Sequence, residues 1–111
     1  MMGTCHCIRC RKLGASTLVF VERDALTLVS GADAIVTYAP EAPYKYKRCF
    51  CSQCGSALGE ITSDSPSFPL PANCFDDELG IGIQFHMFVK DKPSWYGICD
   101  EAVQFMENPP Q

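Results

Sequence analysis

The run Cys5-His6-Cys7-Ile8-Arg9-Cys10 places three thiols at C-x-C-x-x-C spacing close to the N-terminus. Thiolates two and three residues apart on a tight loop can converge on one tetrahedral Zn²⁺, and three protein ligands leave a fourth position free. An open position is what a catalytic zinc needs, whereas a fourth ligand from elsewhere would make the same cluster a closed structural site. Arg9, Arg11 and Lys12 flank the run and favour the thiolate form, which helps metal binding and thiol reactivity alike.

A second group, Cys51-Ser52-Gln53-Cys54-Gly55, is a C-x-x-C of zinc-knuckle type whose glycine lets the backbone turn under a metal. It supplies two ligands and needs two more. Cys49 lies two positions earlier and shares a strand face with Cys51; free cysteines of this kind are usually small buried strand residues rather than auxiliary ligands. Cys74 and Cys99 stand alone and are read as packing residues. His6 alternates with two candidate ligands, so its spacing admits a role at the metal, as a ligand or behind one, and equally a ring turned away from it. His86 falls on the polar side of a late alternating segment, where a solvent-facing or hydrogen-bonded histidine is expected.

Eight cysteines among 111 residues are the outlier of the composition. A chain of this length forms a single domain, and small domains are hard to stabilise by their cores alone, so a metal would help to hold it together. The N-terminus has neither the basic region nor the apolar stretch of a secretory signal, and the longest apolar run, Thr17 to Val21, is far too short to span a bilayer. These features place the chain in the cytoplasm, where thiols stay reduced and metal binding is the leading use for them. The net charge of −4 argues against a nucleic-acid partner, which would call for a basic surplus. Tyr44-Lys45-Tyr46-Lys47-Arg48 interleaves aromatic and basic residues but splits by face, as a charged sheet edge does.

These side chains would be positioned mainly by short strands. Strands are expected at Thr17–Val21, Leu26–Val29, Ala34–Tyr38 and Tyr44–Phe50, the last running into the second cysteine group, with 56–61 returning from it as a hairpin partner. Residues 63–71, with three prolines and three serines, are expected to be loop. The period-2 alternation from Ile81 to Val89 predicts a long strand burying Ile81, Ile83, Phe85, Met87 and Val89. Asp100 is positioned to cap a short helix running to Glu107 that packs Val103 and Met106 inward.

Taken in order, Cys5-His6-Cys7-Ile8-Arg9-Cys10-Arg11-Lys12 and Arg48-Cys49-Phe50-Cys51-Ser52-Gln53-Cys54-Gly55-Ser56 resemble the glutathione-dependent formaldehyde-activating enzyme family, which also includes centromere protein V. Ser30-Gly31, Asn73-Cys74-Phe75-Asp76-Asp77, His86-Met87-Phe88-Val89 and Lys92-Pro93-Ser94-Trp95 look like later landmarks of that family, in the same order. The resemblance implies a mainly β fold of several small antiparallel sheets in a β-tent around zinc, with zinc-ribbon-like cysteine loops. It implies a catalytic zinc on Cys5, Cys7 and Cys10. It also implies a structural zinc on Cys51 and Cys54, completed by a C-x-C pair that lies upstream in the family. Only four residues precede Cys5 here, so residues 1–111 are expected to form one domain lacking the family's N-terminal strands. A chain shortened in this way could place Cys51 and Cys54 on one zinc with two of Cys5, Cys7 and Cys10.

The reaction implied is the reversible addition of glutathione to formaldehyde, giving S-hydroxymethylglutathione, a carbon–sulfur lyase in the cleaving direction. Arg9, Arg11, Lys12 and Arg48 would hold the carboxylates of glutathione, or stand as solvated charge near a metal loop. The competing reading is a non-catalytic zinc module that presents a sheet surface to a protein partner. A redox role for Cys51 and Cys54 is weaker, because no βαβ pattern surrounds them. A homodimer would replace a missing edge strand.

Overall fold

The N-terminal residues Met2–Cys5, too few to signal a strand by pattern, form β1 at the centre of the larger of two sheets. A computed structural model describes residues 1–110 of the chain. β1 is buried along its whole length because it has a partner on each side. It runs antiparallel to β2 (Thr17–Glu22) and parallel to β7 (Phe85–Met87). β6 (Ser67–Pro71) extends the sheet beyond β2, and the two-residue β8 (Val103–Gln104) extends it beyond β7 in parallel, giving the order β6-β2-β1-β7-β8. A second sheet, β3 (Ile35–Tyr38), β4 (Arg48–Cys51) and β5 (Ala57–Gly59), is wholly antiparallel. The fold is mainly β, as the sequence indicates, with parallel pairings on one side of the larger sheet. Val19, Phe68, Leu70 and Phe85 form the heart of its core.

Several expected elements are shorter or different, each for a pairing reason. Leu26–Val29 forms no strand: after β2 a 3₁₀ turn at Arg23–Ala25 leads the chain away, and Val29 is 91% exposed. The strand expected from Tyr44 begins only at Arg48, and Tyr44 to Lys47 are exposed irregular chain rather than a sheet edge. Residues 67–71, expected to be loop, form β6; Pro69 and Pro71 are tolerated because β6 is an edge strand, where a missing N–H costs no ladder bond.

The long strand expected over 81–89 shrinks to Phe85–Met87. Its neighbour β1 begins at Met2, which accepts a bond from the N–H of Gln84, so the residues before 84 have no ladder to join. At the other end Phe88 takes a left-handed conformation with φ 54° and turns the chain into a 3₁₀ segment at Val89–Asp91. The helix expected after Asp100 is absent. Asp100 Oδ1 accepts the N–H of Ala102 at 3.0 Å, a local turn that competes with helix, and the chain continues as β8. Val103 and Met106 are accordingly exposed rather than packed inward.

Candidate metal centre

Cys5 ends β1, Cys7 caps the short helix α1 (Ile8–Leu13), and Cys10 lies on the buried side of that helix. The sequence places these residues on a tight loop; the structure divides them between strand end, cap and first helical turn. The N–H of Cys10 donates to Cys7 Sγ at 3.5 Å, and Gly14 in a left-handed conformation stops the helix. The outcome is three sulfurs that all lie within 4.8 Å of one another. Tetrahedral thiolates at about 2.3 Å from zinc sit about 3.8 Å apart, so a modest contraction brings this soft, all-sulfur donor set onto a thiophilic ion. Among the described residues no other group of three or more histidine, cysteine or acidic side chains converges in this way.

Arg48 connects the second sheet to this centre. Its Nη2 donates to Cys10 Sγ and its Nη1 to the Arg9 carbonyl, each at 3.3 Å. The Cys10 thiol is lowered from its ordinary 9.0 to about 6, first by the neighbouring Cys5 thiol and then by the Arg48 charge, against the opposing effect of burial. Cys5 is pushed upward by the same contact with Cys10 and by burial, so the two thiols titrate as a pair. In metal-stripped protein, the alkylation rate of Cys10 should rise through a midpoint near pH 6 and stay flat above it. Arg48→Met should move that midpoint upward, because the thiolate loses its cation while keeping Cys5. Peptide mapping of iodoacetamide labelling against pH checks both; an unmoved midpoint would show that Arg48 does not act on the sulfur.

The other basic residues flagged in the sequence are differently engaged. Arg9 lies over the Tyr44 ring, 4.2 Å from its centroid, Arg11 donates to the Asp91 carbonyl at 3.0 Å, and Lys12 is exposed on the outer side of α1. Of the four, Arg48 alone touches a cluster sulfur. A cavity of about 40 Å³ beside Cys10 and Arg48 is lined also by Gly59, Glu60 and Pro69. It has room for water and not for a tripeptide. Burial raises the Glu60 carboxyl, with Arg48 pulling the other way. Nothing in the sequence singled out Glu60, which follows β5 without any motif.

Cys51 ends β4 and Cys54 lies on the tight turn after it. The N–H of Gln53 points at Cys51 Sγ at 3.4 Å, Gly55 N–H bonds the Cys51 carbonyl at 2.7 Å with φ 77°, and Cys54 is exposed with its Sγ 3.1 Å from the Ser56 hydroxyl. The tight turn expected here is therefore present. No third donor joins the pair, which also stays apart from the Cys5, Cys7 and Cys10 group among the described residues. Cys49 is a buried strand residue between the hydroxyls of Thr37 and Thr62, as read from the sequence. Cys74 is half-buried, whereas Cys99 is exposed rather than packed.

His6 turns away from the sulfurs. The parallel register of β1 with β7 pairs Thr4 with His86 and leaves His6, on the same face as Thr4, beside the His86 ring. His6 Nε2 and His86 Nδ1 are 2.9 Å apart and the rings stack with centroids at 5.1 Å, while Tyr96 closes on His6 edge-on. His86 Nε2 lies 3.1 Å from both carboxylate oxygens of Asp100. His86, expected on the polar side of a strand, is 2% exposed, because β1 and the chain after Asp100 enclose it. Burial, with His86 and Lys92 adding to it, holds the His6 pKa below its ordinary value. Asp100 is held low, first by the Ala102 N–H and then by His86. The sequence marks both histidines, but no spacing could announce a contact across 80 positions.

A family model described as glutathione-dependent formaldehyde-activating enzyme matches residues 1–91, which include both cysteine motifs and His86. The chain belongs to that family. No curated protein matches it significantly. As a member of the formaldehyde-activating family it carries a three-cysteine centre able to bind a metal. Among the described residues no helix is long and apolar enough to cross a membrane. Asp100 lies beyond the part of the chain that the family model matches.

Proposed function

We propose that the protein is a zinc-dependent carbon–sulfur lyase of the formaldehyde-activating type, acting on an adduct of glutathione or another small thiol. The observation that carries this reading is the convergence of Cys5, Cys7 and Cys10 with no fourth histidine, cysteine or acidic donor in their group among the described residues. Zinc held by these three residues would supply an electrophilic position for a thiol sulfur or an aldehyde oxygen. In the cleaving direction the carbon–sulfur bond of the hydroxymethyl adduct breaks, its electron pair stays on sulfur as the thiolate, and the hydroxyl proton passes to solvent as the aldehyde forms. Arg48 holds Cys10 anionic and fixes α1 against β4. Arg9, Arg11 and Lys12 put positive charge along the helix that carries Cys10, suited to the carboxylates of glutathione. Cys51 and Cys54 offer a half-site for a second, structural ion.

Zinc content, with X-ray absorption at the zinc edge before and after addition of glutathione, tests the reading. The expected result is zinc in an all-sulfur shell that gains one sulfur from glutathione, together with formation of S-hydroxymethylglutathione from formaldehyde. Tightly held zinc whose shell ignores glutathione would reject the lyase and favour the non-catalytic module that presents a sheet surface to a protein partner.

A further inference from the structure

We infer that Asp100 is a positioning residue for the metal loop, acting through His86 on His6, the residue that joins Cys5 to Cys7 in the chain. The inference rests on the metal-binding reading of that loop and goes beyond it, because Asp100 lies outside the residues that the family model matches.

The three side chains form one hydrogen-bonded chain from the surface to the loop. An ionised carboxylate only accepts hydrogen bonds, so with both oxygens at 3.1 Å the Nε2 of His86 must donate. With neutral rings, His86 Nδ1 is then the acceptor, and His6 Nε2 donates to it across 2.9 Å. The polarity of the whole chain is thus set at Asp100, much as a carboxylate fixes the tautomer of a histidine it orients. His6 is 3% exposed and stacked on His86, so its ring has one seat, and the backbone that joins Cys5 to Cys7 is held by it. The main chain adds a bond from His6 N–H to the Met87 carbonyl at 2.9 Å. Groups that orient a metal-binding loop in this way govern how firmly the ion is kept.

Asp100→Asn separates this role from a merely structural one. Asp100 is exposed, and an asparagine oxygen still accepts the Ala102 N–H, so the local turn survives. Its NH₂ group, however, replaces Oδ2 and faces His86 Nε2 as a second donor, leaving Oδ1, already shared with the Ala102 N–H, as the one remaining acceptor. In the zinc-loaded wild-type chain, ¹⁵N spectra of the imidazoles should show His86 and His6 each protonated at Nε2 alone. In the variant a population protonated at His86 Nδ1 should appear, and zinc should leave to a chelator about tenfold faster, while the melting temperature of the metal-free chain stays unchanged. His86 or His6 protonated at Nδ1 in the wild type overturns the inference. So do unchanged spectra or unchanged zinc release in the variant, and so does a matching fall in metal-free stability, which would make Asp100 a structural residue. A wild-type chain that binds no zinc on Cys5, Cys7 and Cys10 would instead overturn the reading of the loop itself.

Discussion

Cys10→Ser is expected to strip zinc from the centre formed with Cys5 and Cys7, whereas Cys54→Ser should leave that ion in place. Structural zinc bound by four ligands is worth roughly 10–16 kcal/mol, so the share of one thiolate is about 3 kcal/mol, near a hundredfold in affinity. Cys10 is the cysteine of the group whose loss reaches furthest. It is 6% exposed, its thiol is held low by Cys5 and Arg48, and it anchors the Arg48 guanidinium at 3.3 Å. Serine restores neither a soft donor nor a group that ionises near neutrality, and it leaves the cation of Arg48 without its anion. Because zinc stabilises only the folded chain, the variant should also lose the rise in melting temperature that added zinc gives the wild type. Competition with a chromophoric chelator, read beside the melting curves, measures both. Zinc affinity in Cys10→Ser equal to that of the wild type would remove Cys10 from the site.

Gly59→Ala should cost roughly 2–5 kcal/mol of stability, the sum of a left-handed conformation forced on a residue with a Cβ and of overpacking. Gly59 ends β5 with φ 60°, and a Cβ there would stand 2.5 Å from the Pro69 carbonyl oxygen and 2.9 Å from Leu70 Cα. Both obstacles are backbone of β6, which Glu60 N–H also bonds through the Pro69 carbonyl at 3.1 Å, so neither can swing aside as a side chain would. The two sheets meet at this point. A small domain shifts by about 4–8 °C per kcal/mol, so the melting temperature should fall by at least about 8 °C. Gly80→Ala is the control, because its φ is 71° but no atom stands within 4 Å of the added methyl; only the conformational cost applies. Forcing β5 off β6 also draws Arg48 away from Cys10, so the alkylation midpoint of Cys10 should rise in Gly59→Ala and not in Gly80→Ala. Equal stabilities for the two variants would show that β5 and β6 do not press on each other.

The three-cysteine group was the most legible part of the sequence, because its members are local. C-x-C-x-x-C spacing fixes how far apart three sulfurs can lie, and the structure only changes the loop into a strand end and a capped helix. The turn at Cys51-Ser52-Gln53-Cys54-Gly55 and the return into β5 were legible for the same reason. Alternation misled at Ile81–Val89, because a strand extends only as far as its neighbours do, and β1 and β8 are four and two residues long. Prolines misled at 67–71, because an edge strand needs only one set of backbone bonds.

Composition and spacing by themselves determined a small mainly β domain with a three-thiol group, since both depend on residues close in the chain. Tertiary structure alone decided what surrounds that group. It brought Arg48 onto Cys10 across 38 positions, set Glu60 beside them, and joined His6 to His86 and Asp100. Contacts of this kind depend on which strands become neighbours and in what register. A parallel pairing such as β1 with β7 leaves no periodic trace in either segment, because its selectivity lies in the burial that only the assembled sheet provides.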